Sequence, residues 1–267
     1  MEHVRSLDAE IFYEVLGSGA PVVLLHPFPA NHKFWLPAVE PLVSRYQLLL
    51  PDLRGHGDSE VGEGPATMAK HAADLDRVLD RQDIRRAILM GVSIGGYVLF
   101  EFWRRSSARV AALVFANTKA QADTAEGRAT RLEAAAQVME RGTDPFFRSM
   151  LPKLLGETTR RTRPDLVQGA LTMMQKMSPQ DVALVQRGMA ERRDSVEALA
   201  TIQVPTLILT GEEDGLAGAA DAQLIQQHIP GSQLKVVAKA GHYSPWEQPE
   251  EVGRILRRFV ETVRNIH

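Results

Sequence analysis

Six short, nearly continuous apolar runs constrain the fold of this 267-residue chain more than any other feature. A strand that is apolar at almost every position is buried on both faces, which is typical of a parallel sheet covered by helices. The runs occupy residues 22–25, 47–50, 87–90, 111–115, 206–209 and 234–237.

Stretches with helical periodicity separate these runs. Strand, helix and strand repeated in this way produce right-handed crossovers. The predicted fold class is therefore α/β, a mostly parallel, doubly wound sheet flanked by helices. The helix candidates are residues 34–45, 67–81, 94–105, 219–228 and 250–263, and residues 10–16 form a predicted antiparallel edge strand.

The alternation breaks once, between Asn117 and Pro205, where no convincing strand occurs. A helical insertion after one strand of a parallel sheet is expected to cover the carboxyl ends of the strands, where open α/β sheets bind ligands. We therefore predict a core domain of residues 1–118 and 200–267 and a helical cap of residues 119–199. The helix candidates of the cap are residues 126–141, 145–155, 164–176 and 178–192.

Composition excludes several classes of function. The net charge of −2 gives no reason to expect a nucleic acid or an anionic membrane as partner, and no apolar run reaches membrane-spanning length. The absence of cysteine removes disulfides, thiolate zinc sites and cysteine nucleophiles. Without zinc-hydrolase or phosphate-binding motifs, we expect no metal and no cofactor, but a small-molecule substrate. The amino-terminal residues lack a signal peptide's apolar segment, so a cytoplasmic location is expected, and the oligomeric state stays open.

The candidate nucleophile is Ser93, in the sequence Gly91-Val92-Ser93-Ile94-Gly95-Gly96. A buried strand precedes this G-x-S-x-G motif and a helix follows it, which is the context of a nucleophile elbow. Side chains two positions either side of the serine would collide across so sharp a turn, so glycine is needed at 91 and 95. The following helix would direct its amino terminus at developing negative charge.

A serine hydroxyl needs a neighbouring base, and His242 is the candidate because it follows the last predicted strand. His71 and His228 are predicted on exposed helix faces. The candidate acid is Asp214, just beyond the strand of residues 206–209 and next to Gly215. Glu212 and Glu213 are rivals for the same task, which is to hold the imidazole tautomer and stabilise the imidazolium.

Five motifs in this order resemble the α/β-hydrolase superfamily, in its capped esterase, lactonase and haloperoxidase-like branch. They are His26-Pro27-Phe28-Pro29, residues 51–59, the Ser93 motif, residues 211–214 and Ala240-Gly241-His242. The resemblance covers almost the whole chain. It implies that residues 52–59 form a structural loop, braced by Asp52 and Arg54, that takes no direct part in the reaction.

Acyl transfer also needs two hydrogen-bond donors for the carbonyl oxygen as it becomes an oxyanion. The backbone N–H of Ile94, directly after the nucleophile, is the first candidate. The family usually has His-Gly where this chain has His26-Pro27. Proline has no N–H, so Phe28 is the only donor between His26 and Ala30, and the resemblance places the second donor there too.

The predicted function is hydrolysis of a carboxylic ester or lactone through an acyl-enzyme. The methionines and phenylalanines of residues 119–199 suit a small or medium hydrophobic acyl compound, although they would equally hold the cap helices together. Three alternatives stay open. They are a cofactor-free carbon–carbon bond hydrolase, with Arg160, Arg161 and Arg163 as possible but solvent-facing carboxylate ligands; a perhydrolase; and a slow-turnover ligand-binding homologue.

Overall fold

The computed structural model describes residues 2–263, so Met1 and residues 264–267 of the predicted core lie outside it. These residues contain one eight-stranded sheet. The strands are β1 (Glu2–Ser6), β2 (Ala9–Leu16), β3 (Ala20–Leu25), β4 (Tyr46–Pro51), β5 (Ala87–Val92), β6 (Val110–Ala116), β7 (Thr206–Gly211) and β8 (Gln233–Val237). Their order is β1-β2-β4-β3-β5-β6-β7-β8. β2 is antiparallel to both of its neighbours, β1 and β4, and every adjacent pair from β4 to β8 in this order is parallel.

The helices lie mainly after the strands, as the alternation predicts. They are α1 (Leu36–Val39), α2 (Met68–Arg81), α3 (Ile94–Ser106), α4 (Ala125–Arg141), α5 (Asp144–Leu154), α6 (Glu157–Thr162), α7 (Pro164–Met174), α8 (Pro179–Ala190), α9 (Val196–Leu199), α10 (Ala219–His228), α11 (Ser244–Glu247) and α12 (Pro249–Val260). Every residue of β5, β6 and β7 is buried, so helices cover both faces of the sheet there. No helix within residues 2–263 has the length and apolar character that crossing a membrane requires.

The α/β class and the strands of all six apolar runs are confirmed, and four local predictions need correction. β8 is not buried on both faces, because it is the last strand of the sheet, and only Val237 of its five residues is buried. The strand predicted at the edge is second from it, because β1 pairs with β2 and takes the edge. The helix predicted over residues 34–45 is reduced to α1 and two 3-10 turns, since Pro37 and Pro41 cannot donate the hydrogen bonds of a continuous helix. The side chain of His71 is buried, not exposed.

His71 is buried because of its position on α2. It lies three residues after Met68 and four before Leu75, so it shares their buried face. His228, at the end of α10, is exposed as predicted.

Between β6 and β7 the described chain forms the six helices α4 to α9, joined by loops, and contains no strand. α8 begins with a capping box, in which the Ser178 hydroxyl accepts from the Asp181 N–H and the Asp181 carboxylate accepts from the Ser178 N–H. The helix also packs on the loop after β4, where Leu184 accepts a hydrogen bond from the Ala66 N–H.

The strand register aligns the carboxyl ends of the parallel strands. Leu25 lies opposite Gly91, Gly91 opposite Phe115, and Phe115 opposite Ile208. The loops after β3, β5, β6, β7 and β8 therefore all leave the sheet on the same side, at the carboxyl ends of the strands. The predicted site residues lie on four of these loops.

Candidate active site

Ser93 lies at a sharp turn between β5 and α3. Its φ of 54° and ψ of −114° are in a region that residues with side chains rarely adopt, at a cost of about 1–3 kcal/mol. Two contacts from the end of β6 hold the turn. The Ser93 N–H donates to Ala116 O at 3.0 Å, and the Thr118 hydroxyl donates to Ser93 O at 2.8 Å.

The glycines around Ser93 are there for steric reasons. A Cβ on Gly91 would lie 2.5 Å from the carbonyl carbon of Gly95, across the turn, as the sequence predicts. A Cβ on Gly95 would lie 2.6 Å from Leu25 O, so this glycine also lets α3 approach β3. The conformation of Ser93 thus depends on close backbone contact on both sides.

His242 and Asp214 form a buried pair. The Nδ1 atom of His242 lies 2.9 Å from Asp214 Oδ2 and 3.1 Å from Oδ1. Asp214 Oδ1 also accepts from the N–H groups of Leu216 and Ala217, at 2.8 and 3.0 Å. Burial by itself would raise the pKa of Asp214, but the His242 ring and these donors outweigh it and hold the pKa below its usual range. The carboxylate is therefore ionised.

Glu212 and Glu213, the rival acids, have other partners. The Glu213 carboxylate accepts hydrogen bonds from the hydroxyl and the N–H of Thr158. Glu212 Oε2 accepts from the Lys239 N–H at 3.0 Å. Of the three neighbouring acids, Asp214 is the one hydrogen-bonded to His242.

Two polar residues that sequence reasoning missed fix this pair. Asn117 Nδ2 donates to Asp214 Oδ2 at 2.9 Å and to Gly241 O at 3.2 Å. Glu247 accepts from the Gly241 N–H at 2.9 Å through Oε1 and from the Gly156 N–H at 2.8 Å through Oε2. Burial raises the pKa of Glu247, despite these donors. The loop that carries His242 is thus tied to β6 and to the segment before α6.

The predicted oxyanion donors lie near the nucleophile. Phe28 lines the same cavity as Ser93, and Ile94 is the first residue of α3. Within residues 2–263, neither the Phe28 N–H nor the Ile94 N–H donates to a protein acceptor. Both are therefore free to bind a ligand oxygen. The carbonyl of Phe28 accepts from the Tyr243 hydroxyl at 3.2 Å, which fixes the loop from its other side.

His26 connects the loop of Phe28 to the loop after β4. Its Nδ1 donates to Pro27 O and its Nε2 accepts from the Leu53 N–H, both at 2.9 Å, which assigns the neutral tautomer. Burial, reinforced by the nearby His56 ring, lowers the pKa of His26 to about 3. His26 is a neutral structural residue at ordinary pH.

The loop of residues 52–59 is also heavily hydrogen-bonded. Buried Arg54 contacts Asp74 at 2.7 and 2.9 Å and Asp8 at 2.6 Å. Asp52 accepts from the N–H and ring of His32 and from the Asp58 N–H. His32, Asp52 and Asp58 are also the one group within residues 2–263 that brings three potential metal ligands within 4.8 Å. Because the Asp52 carboxylate already accepts these hydrogen bonds, the three residues fit a structural role in bracing the loop better than a metal site.

A cavity of about 140 Å³ joins Ser93 to His242. The two side chains line the same space, although no hydrogen bond links them within residues 2–263. Such contacts are often long before a substrate is bound. The rest of the lining is mainly apolar, with two cations: Phe28, Tyr97, Lys119, Arg131, Met150, Leu154, Met189 and Leu216.

The methionines of residues 119–199 serve two purposes. Met150 and Met189 line this cavity, whereas Met173, Met174 and Met177 are buried within the helical packing. The side chains of Arg160, Arg161 and Arg163 are exposed, as predicted. The cations that do line the cavity, Lys119 and Arg131, were not identified from the sequence.

Comparison with known proteins identifies the family of this chain. The sequence model of the alpha/beta hydrolase fold family matches residues 20–249. A 3-oxoadipate enol-lactonase of Acinetobacter baylyi is 30% identical over 243 residues, 91% of this chain and 89% of that protein.

Two solved structures are also similar. A thermophilic esterase from Thermogutta terrifontis, described with malate bound, has a TM-score of 0.96 and 33% identity, covering 99% of this chain and 100% of its own. An N-acyl homoserine lactone degrading enzyme has a TM-score of 0.82 and 28% identity, covering 97% and 100%. Since the family model matches most of the chain, this protein belongs to the α/β-hydrolase fold family and is an enzyme of the hydrolase type.

Proposed function

We propose that this protein is a serine hydrolase that cleaves a carboxylic ester or lactone through an acyl-enzyme. Ser93 is the nucleophile, His242 its base, and Asp214 orients the ring. The observation that carries the proposal is one cavity lined by a strained serine and by a histidine whose other nitrogen is held by a buried carboxylate.

The first half of the reaction follows from these positions. The Ser93 Oγ attacks the carbonyl carbon while Nε2 of His242 takes its proton. The carbonyl oxygen becomes an oxyanion between the N–H groups of Phe28 and Ile94. When the tetrahedral intermediate collapses, the His242 imidazolium returns the proton to the departing alkoxide. The products are an acyl-Ser93 ester and an alcohol, which in a lactone stays attached to the acyl group.

Water completes the cycle. His242 takes a proton from the water that attacks the acyl-enzyme. When the second tetrahedral intermediate collapses, the imidazolium returns this proton to the departing Ser93 Oγ, which releases a carboxylic acid and free Ser93. Asp214 keeps its charge throughout and stabilises the imidazolium in both halves.

The surroundings of the cavity favour a small or medium substrate with apolar parts. We assign residues 119–199 to a cap, because α5 and α8 bring Met150, Leu154 and Met189 to the cavity of Ser93. Relatives named as an esterase, an enol-lactonase and a lactone-degrading enzyme support ester and lactone chemistry over the carbon–carbon alternative.

Hydrolysis of a short p-nitrophenyl ester tests the proposal. Ser93→Ala is expected to lower kcat by a factor on the order of 10⁶, by analogy with other serine hydrolases. Ser232→Ala is the matched control, since the Ser232 hydroxyl contacts Gln226 O, outside the cavity. A phosphonate probe should add to Ser93, as detected by peptide mass spectrometry.

Two results would overturn the assignment. One is a loss of less than tenfold in the Ser93→Ala variant. The other is a phosphonate adduct on a residue other than Ser93, in a protein whose turnover of the ester the Ser93→Ala substitution leaves unchanged. A wild-type protein that binds but does not turn over any ester or lactone would instead favour the ligand-binding alternative.

A further inference from the structure

The cavity of Ser93 carries a charge that ester hydrolysis itself does not use. Two of its lining residues, Lys119 and Arg131, are cations, and no lining residue is an acid. Asp214 lies behind the His242 ring and is already paired with it. The surface that faces a substrate is therefore positively charged.

The backbone next to Lys119 is held close to the nucleophile. It follows Thr118, whose hydroxyl donates to Ser93 O at 2.8 Å. Lys119 is half-buried, and within residues 2–263 no carboxylate lies within ion-pair distance of its ammonium group. A cation in so enclosed a place gains more from an anionic ligand than a cation in bulk water does.

Arg131 adds to the same charge. Its Nε lies 2.6 Å from Asp123 Oδ2, but Asp123 Oδ1 is also 2.7 Å from Nη1 of Arg192. One carboxylate is thus shared by two guanidinium groups. Burial would raise the pKa of Asp123, yet these two cations lower it, so Asp123 is ionised and still leaves a net positive charge.

We propose that the natural substrate carries a carboxylate remote from the bond that is cleaved, and that Lys119 binds this carboxylate with help from Arg131. The substrate class is then the half-ester of a dicarboxylic acid or a lactone with a carboxylate side chain. This inference rests on the proposed function, and it makes Lys119 a determinant of specificity rather than a catalytic residue.

A pair of matched esters tests it. Monomethyl glutarate carries the carboxylate, and methyl 4-carbamoylbutanoate replaces it with a neutral amide of similar shape. We expect kcat/KM to favour the anionic ester about tenfold or more, and the preference to shrink in about 0.5 M NaCl. Lys119→Met should lower the ratio of the two kcat/KM values about tenfold. Lys176→Met, which removes an exposed lysine at the end of α7, should leave it unchanged.

Binding gives a readout that does not depend on turnover. In the Ser93→Ala background, calorimetric titration with glutarate should give a Kd that rises about tenfold when Lys119→Met is added. Cleavage of both esters without an anionic preference, or an equal Kd with and without Lys119, would overturn the inference alone. If the p-nitrophenyl ester is cleaved but neither methyl ester is, the inference fails and the proposed function stands. If none of the three esters is cleaved, the proposed function fails and the inference fails with it.

Discussion

His26 and His242 both follow a strand of the sheet, and both are almost completely buried, yet their surroundings differ. His26 has backbone partners on both ring nitrogens. His242 has a carboxylate on Nδ1, while its Nε2 forms no hydrogen bond within residues 2–263. Burial without a carboxylate partner lowers the pKa of His26 to about 3 and keeps it neutral. A carboxylate partner alone does not make a base, since buried His32 has Asp52 on its Nδ1 and belongs to a loop brace. The proposed base differs from both braces in that it also lines the cavity of Ser93.

The largest expected difference is between the variants that remove the His242 ring and the His26 ring. His242→Ala should lower kcat by a factor on the order of 10⁶ with little loss of stability. His26→Ala should leave the buried Leu53 N–H unpaired, which costs about 1–3 kcal/mol of unfolding free energy, and should lower kcat far less. Ester turnover and urea denaturation of both variants measure this. Equal losses of activity would contradict the division of roles.

The acid partner provides the next test. Asp214→Asn keeps the shape of the side chain but removes its charge, so the imidazolium loses its stabilising partner. We expect kcat to fall by a factor on the order of 10⁴. Glu213→Gln is the control, because Glu213 binds Thr158 and not His242. A comparable loss in both variants would mean that the acid is wrongly assigned.

A smaller effect concerns pH and stability. Burial lowers the pKa of His56 to about 4, so its ring stays neutral in the folded protein while the unfolded chain takes up a proton below about pH 6.5. The unfolding free energy should therefore fall as the pH drops from 6.5 to 4, by about 1.4 kcal/mol per pH unit for each such histidine.

His56→Asn should reduce this slope by one proton, because an amide does not titrate in this range. The amide can still donate to Arg54 O, as the ring does, so the local hydrogen bond is kept. His228→Asn, at an exposed position, is the control and should leave the slope unchanged. Urea denaturation at several pH values between 4 and 7 measures both. The same slope for His56→Asn as for the wild type would show that this ring is not held neutral.

Features that depend on residues close together in the chain could be predicted from the sequence. The buried strands follow from continuous apolar runs, and the Ser93 turn follows from the glycines on both sides of it. β1 was missed because its sequence, Glu-His-Val-Arg-Ser, has only one apolar residue and no buried-strand pattern.

Long-range polar contacts could not be predicted in this way. Asn117 lies 97 positions from Asp214, and Gly156 lies 91 positions from Glu247, so no local pattern links either pair. Lys119 belongs to the same class. Its importance lies in what surrounds it, namely the cavity and the lack of an ion-pair partner within residues 2–263, and both depend on how α4, α5 and α8 pack.

The Glu247 carboxylate has a consequence for substrate entry. One oxygen holds the strand-end loop of His242 and the other holds the junction between α5 and α6. Lifting this junction away would leave the Gly156 N–H without its acceptor and one oxygen of a buried carboxylate without its donor, which costs about 1–3 kcal/mol. We therefore expect the junction to stay in place, and a movement that admits a large ester to occur elsewhere around the cavity, such as at α4, which carries Arg131.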